Sequence, residues 1–305
     1  MDINPERWGS DMSSSMKAIG FSSIDNKQSW DDLVADVLNA PSRTFMRKYQ
    51  DNKVVIEYYK EYGERLYLLV RVALGENSKQ EPRVHVEECE PYVEATYALE
   101  VQDLEIEDTE DDFIFYVVCE DVGTGMQIVF WLQNVIEYLD CLEDDAVDYT
   151  GVNLVGIASE GTIVLPIEKD EEDSEFEDTE REYLRTMLQR AKDGDEEAIE
   201  ILEKEEEQLD EILKVRLRNE DFLTVMDGYF LPATYVEATY AVLGTIQELE
   251  IRQNSRTKEK VYWMYLDVNG MLLEVIINMS DLIGKPYIGM RFMGTCWMQG
   301  TVEFE

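Results

Sequence analysis

The sequence predicts an α+β protein, with an N-terminal α+β domain followed by two duplicated, β-rich, OB-like barrel units joined by a helical hairpin. Three observations lead there. Short runs of β-branched and aromatic residues separated by turn residues fill most of the chain. A seven-residue segment, Tyr92 to Ala98, recurs unchanged as Tyr235 to Ala241. An acidic stretch with helical apolar spacing lies between the two copies.

The N-terminal part divides by its periodicity. Residues 1–15 read as a loose tail, and regular structure is expected from Met16. Ser29 is an N-cap candidate for a helix whose apolar positions are Trp30, Leu33, Val34, Val37 and Leu38, with Pro41 ending it. Strands follow at Val54 to Tyr59, Arg65 to Leu74 and Arg83 to Glu87, with turns around Gly63 and Gly75. The expected divisions are 1–15, 16–90, 91–168, 169–220 and 221–305.

The duplication extends past the motif. Leu104-Glu105-Ile106 returns as Leu249-Glu250-Ile251, and Gly125-Met126 as Gly270-Met271. Gly151 to Gly156 aligns with Gly289 to Gly294, and Gly161-Thr162-Ile163 with Gly300-Thr301-Val302. Each copy reads as three strands, a helical or looped segment and two short closing strands, which is the element order of an OB-like barrel.

Between the copies, Glu168 to Glu211 holds 21 acidic and 6 basic residues. Glu168 to Asp178 is almost devoid of apolar residues and is expected to be a solvated linker. From Tyr183 to Arg218 the spacing predicts two helices broken at Gly194-Asp195.

Several segments in the same order resemble a Firmicute family catalogued as domain of unknown function 3881. They include Lys17 to Ser22, Phe130 to Leu139, Leu165 to Glu172, Lys192 to Glu200, Arg218 to Asp221 and Trp297 to Gly300. The resemblance implies a shared fold over most of the chain. It assigns no activity, cofactor or binding residue.

Charge narrows the function classes. With 67 acidic against 27 basic side chains the net charge is -40, which repels phosphate backbones and anionic membrane surfaces, so neither nucleic acid nor membrane is expected as a partner. No basic and apolar leader opens the chain, and Cys89, Cys119, Cys141 and Cys296 form no CxxC pair, so a cytoplasmic location with reduced thiols is expected. No cofactor or metal is expected, since His85 is the single histidine and the acidic run lacks EF-hand spacing.

No catalytic residue is assigned. Ser14-Ser15-Met16-Lys17 has S-x-x-K spacing without its companion motifs, and Gly123-Thr124-Gly125 fits a hairpin turn better than a phosphate loop. The repeated motif supplies the candidate binding residues, with alternation placing Tyr92, Glu94 and Thr96 on one face and Tyr235, Glu237 and Thr239 on its copy. The reading is a non-catalytic protein-binding or scaffold module with a basic protein partner. The alternatives are a nucleic-acid mimic and a carboxylate-dependent hydrolase.

Overall fold

A computed structural model describes residues 2–3, 15–24, 26–49, 53–75, 83–109, 113–143, 148–167, 183, 185–202, 204, 223, 226–234 and 238–305. The architecture is α+β and mostly strand. The acidic run after Ile167 and the second half of the expected helical hairpin lie outside the described residues. Within the hairpin, 185–192 and 196–202 are helical. Gly194 at φ 85 breaks them, and Asp195 Oδ1 accepts from the Glu197 and Ala198 amides to cap the second. No helix of the described residues is long and apolar enough to cross a membrane.

Five strands form the first sheet, in the order β1 (Asp2–Ile3), β5 (Arg83–Val93), β4 (Leu66–Gly75), β3 (Lys53–Gly63), β2 (Arg43–Tyr49). β2 and β1 lie outside the strands that periodicity marked, β2 because its apolar and basic residues do not alternate cleanly. Helix α1 (Lys27–Asn39) covers one face through Trp30, Leu33, Val34 and Val37. Its cap is Asn26, which accepts from the Ser29 amide at 2.9 Å, so the cap lies three residues before the one expected at Ser29.

The second sheet contains eleven strands. The first set is β6 (Ala98–Leu99), β7 (Val101–Asp108), β8 (Phe115–Asp121) and β9 (Gln127–Leu132), followed by helix α2 (Val135–Glu143) and β10 (Tyr149–Val164). The second set is β11 (Tyr229–Thr234), β12 (Thr239–Gln253), β13 (Lys260–Val268), β14 (Met271–Asn278), β15 (Leu282–Ile283) and β16 (Arg291–Phe304). The pairings run β12–β13–β14–β10–β16 and return to β12, so this part of the ladder closes on itself.

The two short closing strands expected in each set are single long strands, β10 and β16, antiparallel from Tyr149↔Phe304 to Val164↔Arg291. The glycine alignment is thereby corrected. Gly151 and Gly156 both lie within β10, whereas Gly289, at φ 84, precedes β16, and Gly161 pairs across the ladder with Gly294. Glycines sit here because strands press on one another: a Cβ at Gly161 would stand 2.4 Å from the Phe292 ring.

The core joins the two sheets. One apolar cluster gathers Met16, Ile19 and Phe21, the buried face of α1, Leu66, Leu68 and Val70 of β4, and Val155, Val261 and Ile276 of the second sheet. The N-terminal segment is fastened to the β12–β13 turn and to the end of β14, where the side-chain amides of Asn254 and Asn278 donate to the carbonyls of Ile19 and Lys17, both at 2.9 Å.

On the opposite face of the first sheet, Arg71 of β4 is buried between two carboxylates. Its Nε donates to Glu57 Oε1 at 3.0 Å and its Nη1 to Glu88, and it also reaches the Phe113 and Gln133 carbonyls at 3.1 and 3.4 Å. Two carboxylates against one guanidinium leave an excess negative charge out of water, and burial pushes the Glu57 carboxyl up despite Arg71.

Because the folded state favours the protonated Glu57, its contribution is largest below the ordinary glutamate value of about 4.3 and is lost as pH rises through the raised folded value. Thermal melts taken upward in pH from the ordinary glutamate value should therefore show a component falling with pH that Glu57→Gln removes. Arg71→Ala should cost about 3–5 kcal/mol in urea denaturation, because it strands both carboxylates.

Candidate functional site

The repeated motif does not form one face in its first copy. Tyr92 and Val93 end β5, and residues 94–97 leave the strand. Tyr92 packs against Tyr59 with ring centroids 5.4 Å apart and against Tyr67 at 5.8 Å. Glu94 Oε1 accepts from Arg43 Nη1 at 3.1 Å.

Thr96 turns the other way. Its amide and that of Tyr97 donate to Glu274 Oε1 at 2.6 and 2.7 Å, so the connection is clamped onto β14. Thus Tyr92 and Glu94 come together and Thr96 does not join them, because strand alternation ends at Val93. In the second copy Tyr235 and Glu237 lie outside the described residues, and Thr239 opens β12 opposite Trp297 of β16.

Tyr92 faces a cavity of about 380 Å³ between the first sheet and the far ends of β10 and β16. On the sheet side stand Arg43, Phe45, Tyr59 and Tyr92. The Arg43 guanidinium lies 4.5 Å over the Tyr67 ring and 5.5 Å from that of Tyr59, held by Glu94. Burial pushes the Tyr92 and Tyr59 phenols up, so both stay neutral near pH 7. The Tyr59 hydroxyl donates to Glu57 Oε2 at 3.2 Å, tying this wall to the buried Arg71 group.

The opposite wall is built by two asparagines. Asn134 precedes α2, and its carbonyl accepts from the Tyr138 amide at 3.1 Å to begin the helix. Its side-chain amide pairs with Val302 like a piece of strand, donating to the carbonyl at 2.8 Å and accepting from the amide at 3.1 Å. The same Nδ2 donates to Glu137 Oε2 at 2.7 Å. Asn153 Nδ2 holds Glu303 Oε1 at 3.0 Å, and the Thr150 hydroxyl reaches Glu303 Oε2 at 3.3 Å. Both carboxylates are therefore oriented by neutral donors.

Other reactive groups are committed to structure. Glu274 is buried, with Trp263 Nε1 on its second oxygen at 2.6 Å, and burial raises its pKa in spite of three donors. Cys89, Cys119 and Cys296 are buried, and burial with nearby carboxylates pushes the Cys119 thiol up to about 12. In an open depression near the α1 C-terminus, Asp36 accepts from Lys60, Tyr62 and Arg256, each at 2.7 Å. Lys17 of the S-x-x-K segment pairs with Asp281, while His85 stands in β5 opposite Ala73. Among the described residues no group of three or more His, Cys, Asp or Glu is placed to hold a metal ion.

Sequence reasoning missed Arg43, Arg71, Glu274, Glu137 and Glu303. A lone charge in an apolar strand was the available signal for two of them, since Arg71 stands in LYLLVRVALG and Glu274 in MLLEVIIN. Nothing comparable marks Glu137 or Glu303 among 67 acidic residues. Removing the Glu274 acceptor should leave three donors unpaired, so Glu274→Ala is expected to cost about 3 kcal/mol by urea denaturation and to speed amide exchange at Thr96 and Tyr97.

No curated protein and no solved structure matches the chain. One family model does, over residues 16–300, a span that takes in α1, β2 to β15 and most of β16. The chain belongs to the family described as Domain of unknown function, E. rectale Gene description (DUF3881).

Proposed function

We propose that the protein is a non-catalytic binding module of the cytoplasm, built from two OB-like units related by duplication, that engages a basic protein through its acidic exterior. The observation that carries the binding reading is the division of its carboxylates. Inward-facing Glu57, Glu88 and Glu274 are spent on structural hydrogen bonds. Outward carboxylates stand at alternate positions, Glu105 and Glu107 on β7 and Glu248 and Glu250 on β12, all exposed, with Asp103 exposed at the β7 bulge beside them. Ordered charge of one sign selects partners of the other sign at encounter and fixes their register.

Strand pairing supports the duplicated OB-like reading. The strands that open with the repeated motif pair antiparallel with the long strand of their own set, β6 with β10 and β12 with β16. The strands that precede the helical segment of each set pair parallel with the long strand of the other set, β14 with β10 and β9 with β16. Leu99 faces Val152 as Val242 faces Gly294, and Trp131 faces Gln299 as Ile276 faces Ile157, so β10 and β16 correspond at a displacement of 142 at both positions. Each unit thus lends its final strand to the other, as in an exchanged dimer written into one chain.

A second reading, nucleic-acid mimicry, is favoured by the same part of β7, where Glu105 and Glu107 stand about 6.6 Å apart along a paired strand. The two readings differ in what they compete with. A mimic displaces DNA from a DNA-binding protein, whereas a protein-binding module leaves DNA binding unaffected.

Capture from native cytoplasm at increasing ionic strength should recover a basic protein that is lost as salt screens the contact, and recovery of no partner at low salt would overturn the reading. Mobility-shift assays at low salt should show no binding of DNA or RNA. The exchange has its own test. Residues 1–167 and 221–305 produced as separate chains should be unfolded alone and fold on mixing, and an independently folded 221–305 would contradict it.

A further inference from the structure

We infer that the cavity between β2 and the ends of β10 and β16 is the seat for an arginine side chain of the basic partner, the guanidinium lying between Glu137 and Glu303. The inference rests on the binding reading above and gives it a location.

The chemistry is already used once in the same cluster. Arg43 stacks on Tyr67 and is held by Glu94, so a guanidinium against tyrosine with a carboxylate at its edge is an arrangement this wall supports. The rim of the same cavity carries further aromatic surface. Phe45, 48% exposed, meets Tyr59 edge-on at 5.7 Å, and Phe304 stacks on Tyr138 at 6.0 Å, so apolar and aromatic surface flanks the opening.

The Glu137 and Glu303 carboxylates face this space, and neither is in an ion pair among the described residues. Both are aimed by amides, not neutralised by a cation. Asn134 links Glu137 to the backbone of Val302, the neighbour of Glu303, which fixes the two acids relative to each other. Preorganised carboxylates lose little freedom when a guanidinium arrives, and its forked donors match a carboxylate edge better than a single ammonium does. A volume of about 380 Å³ lies at the small end of ligand sites and suits one side chain in place of an extended cofactor.

The test is a titration of the full-length protein, followed by NMR at the side-chain amides of Asn134 and Asn153, which touch the two carboxylates directly. The probes are acetyl-Gly-Arg-Gly-amide and the same peptide with citrulline, the neutral isostere of arginine. Arginine should shift these amides and citrulline should not. Glu137→Gln and Glu303→Gln keep the amide contacts and should each weaken binding about five- to tenfold, with the double variant losing it. Glu196→Gln with Glu200→Gln removes the same charge from an exposed helix and should leave affinity within about twofold.

Equal response to both peptides, shifts confined to other parts of the surface, or an unaffected double variant would overturn the inference. In lysate capture, a partner held equally by the wild type and the double variant would overturn the cavity while leaving the binding reading intact. If the wild type captures nothing, the peptide titration still decides the cavity by itself.

Discussion

Everything in the second sheet depends on the β10–β16 ladder. It runs antiparallel from Tyr149↔Phe304 to Val164↔Arg291, and each strand then has a second edge to satisfy. β10 turns that edge to β6 at one end and to β14 further along, and β16 to β12 and then to β9. An unpaired buried edge would cost a hydrogen bond at every second residue, so the flanking strands are obligatory. The Phe292 ring sits where this ladder crosses Gly161 and Gly294, where no side chain larger than hydrogen fits without displacement.

The first sheet is locked onto this spine by polar groups at the junction. Arg71 collects carbonyls from Phe113 and Gln133 on the other sheet, while Gln299 of β16 donates to the Val93 carbonyl at 3.0 Å. Glu274 gathers the connection at Thr96 and Tyr97. Apolar burial alone would tolerate sliding between the sheets, whereas a buried charge has one low-energy position. These junction groups leave the cavity walls facing each other, with Tyr92 on one side and Asn134 on the other.

Local order was legible in the sequence wherever periodicity was strong. The spacing of Trp30, Leu33, Val34 and Val37 marks α1, and the run Arg65 to Leu74 marks β4 to within a residue at each end. What was hidden is non-local. Two short strands around glycines and one long strand have the same local pattern, so only pairing partners reveal β10 and β16. The same holds for the cavity, because Arg43, Tyr92, Asn134 and Glu303 are far apart in sequence and none departs from its local pattern. Alternation extended from Tyr92 to Thr96 failed because Glu274, a long way down the chain, pulls residues 96 and 97 out of the strand.

The parallel contact of β9 with β16, Leu132 against Gly300, bears on how the chain is made. A ribosome synthesising about 5–20 residues per second needs roughly ten to thirty seconds to travel from one to the other. For that interval β7, β8 and β9 stand outside the tunnel with the edge of β9 unmatched. Vectorial folding, domain by domain, is therefore closed to this topology. The nascent strands must be shielded by chaperones or by their own carboxylates, and the dense acidity of β7 gives a growing chain mutual repulsion when it is most prone to stick to its neighbours on the polysome.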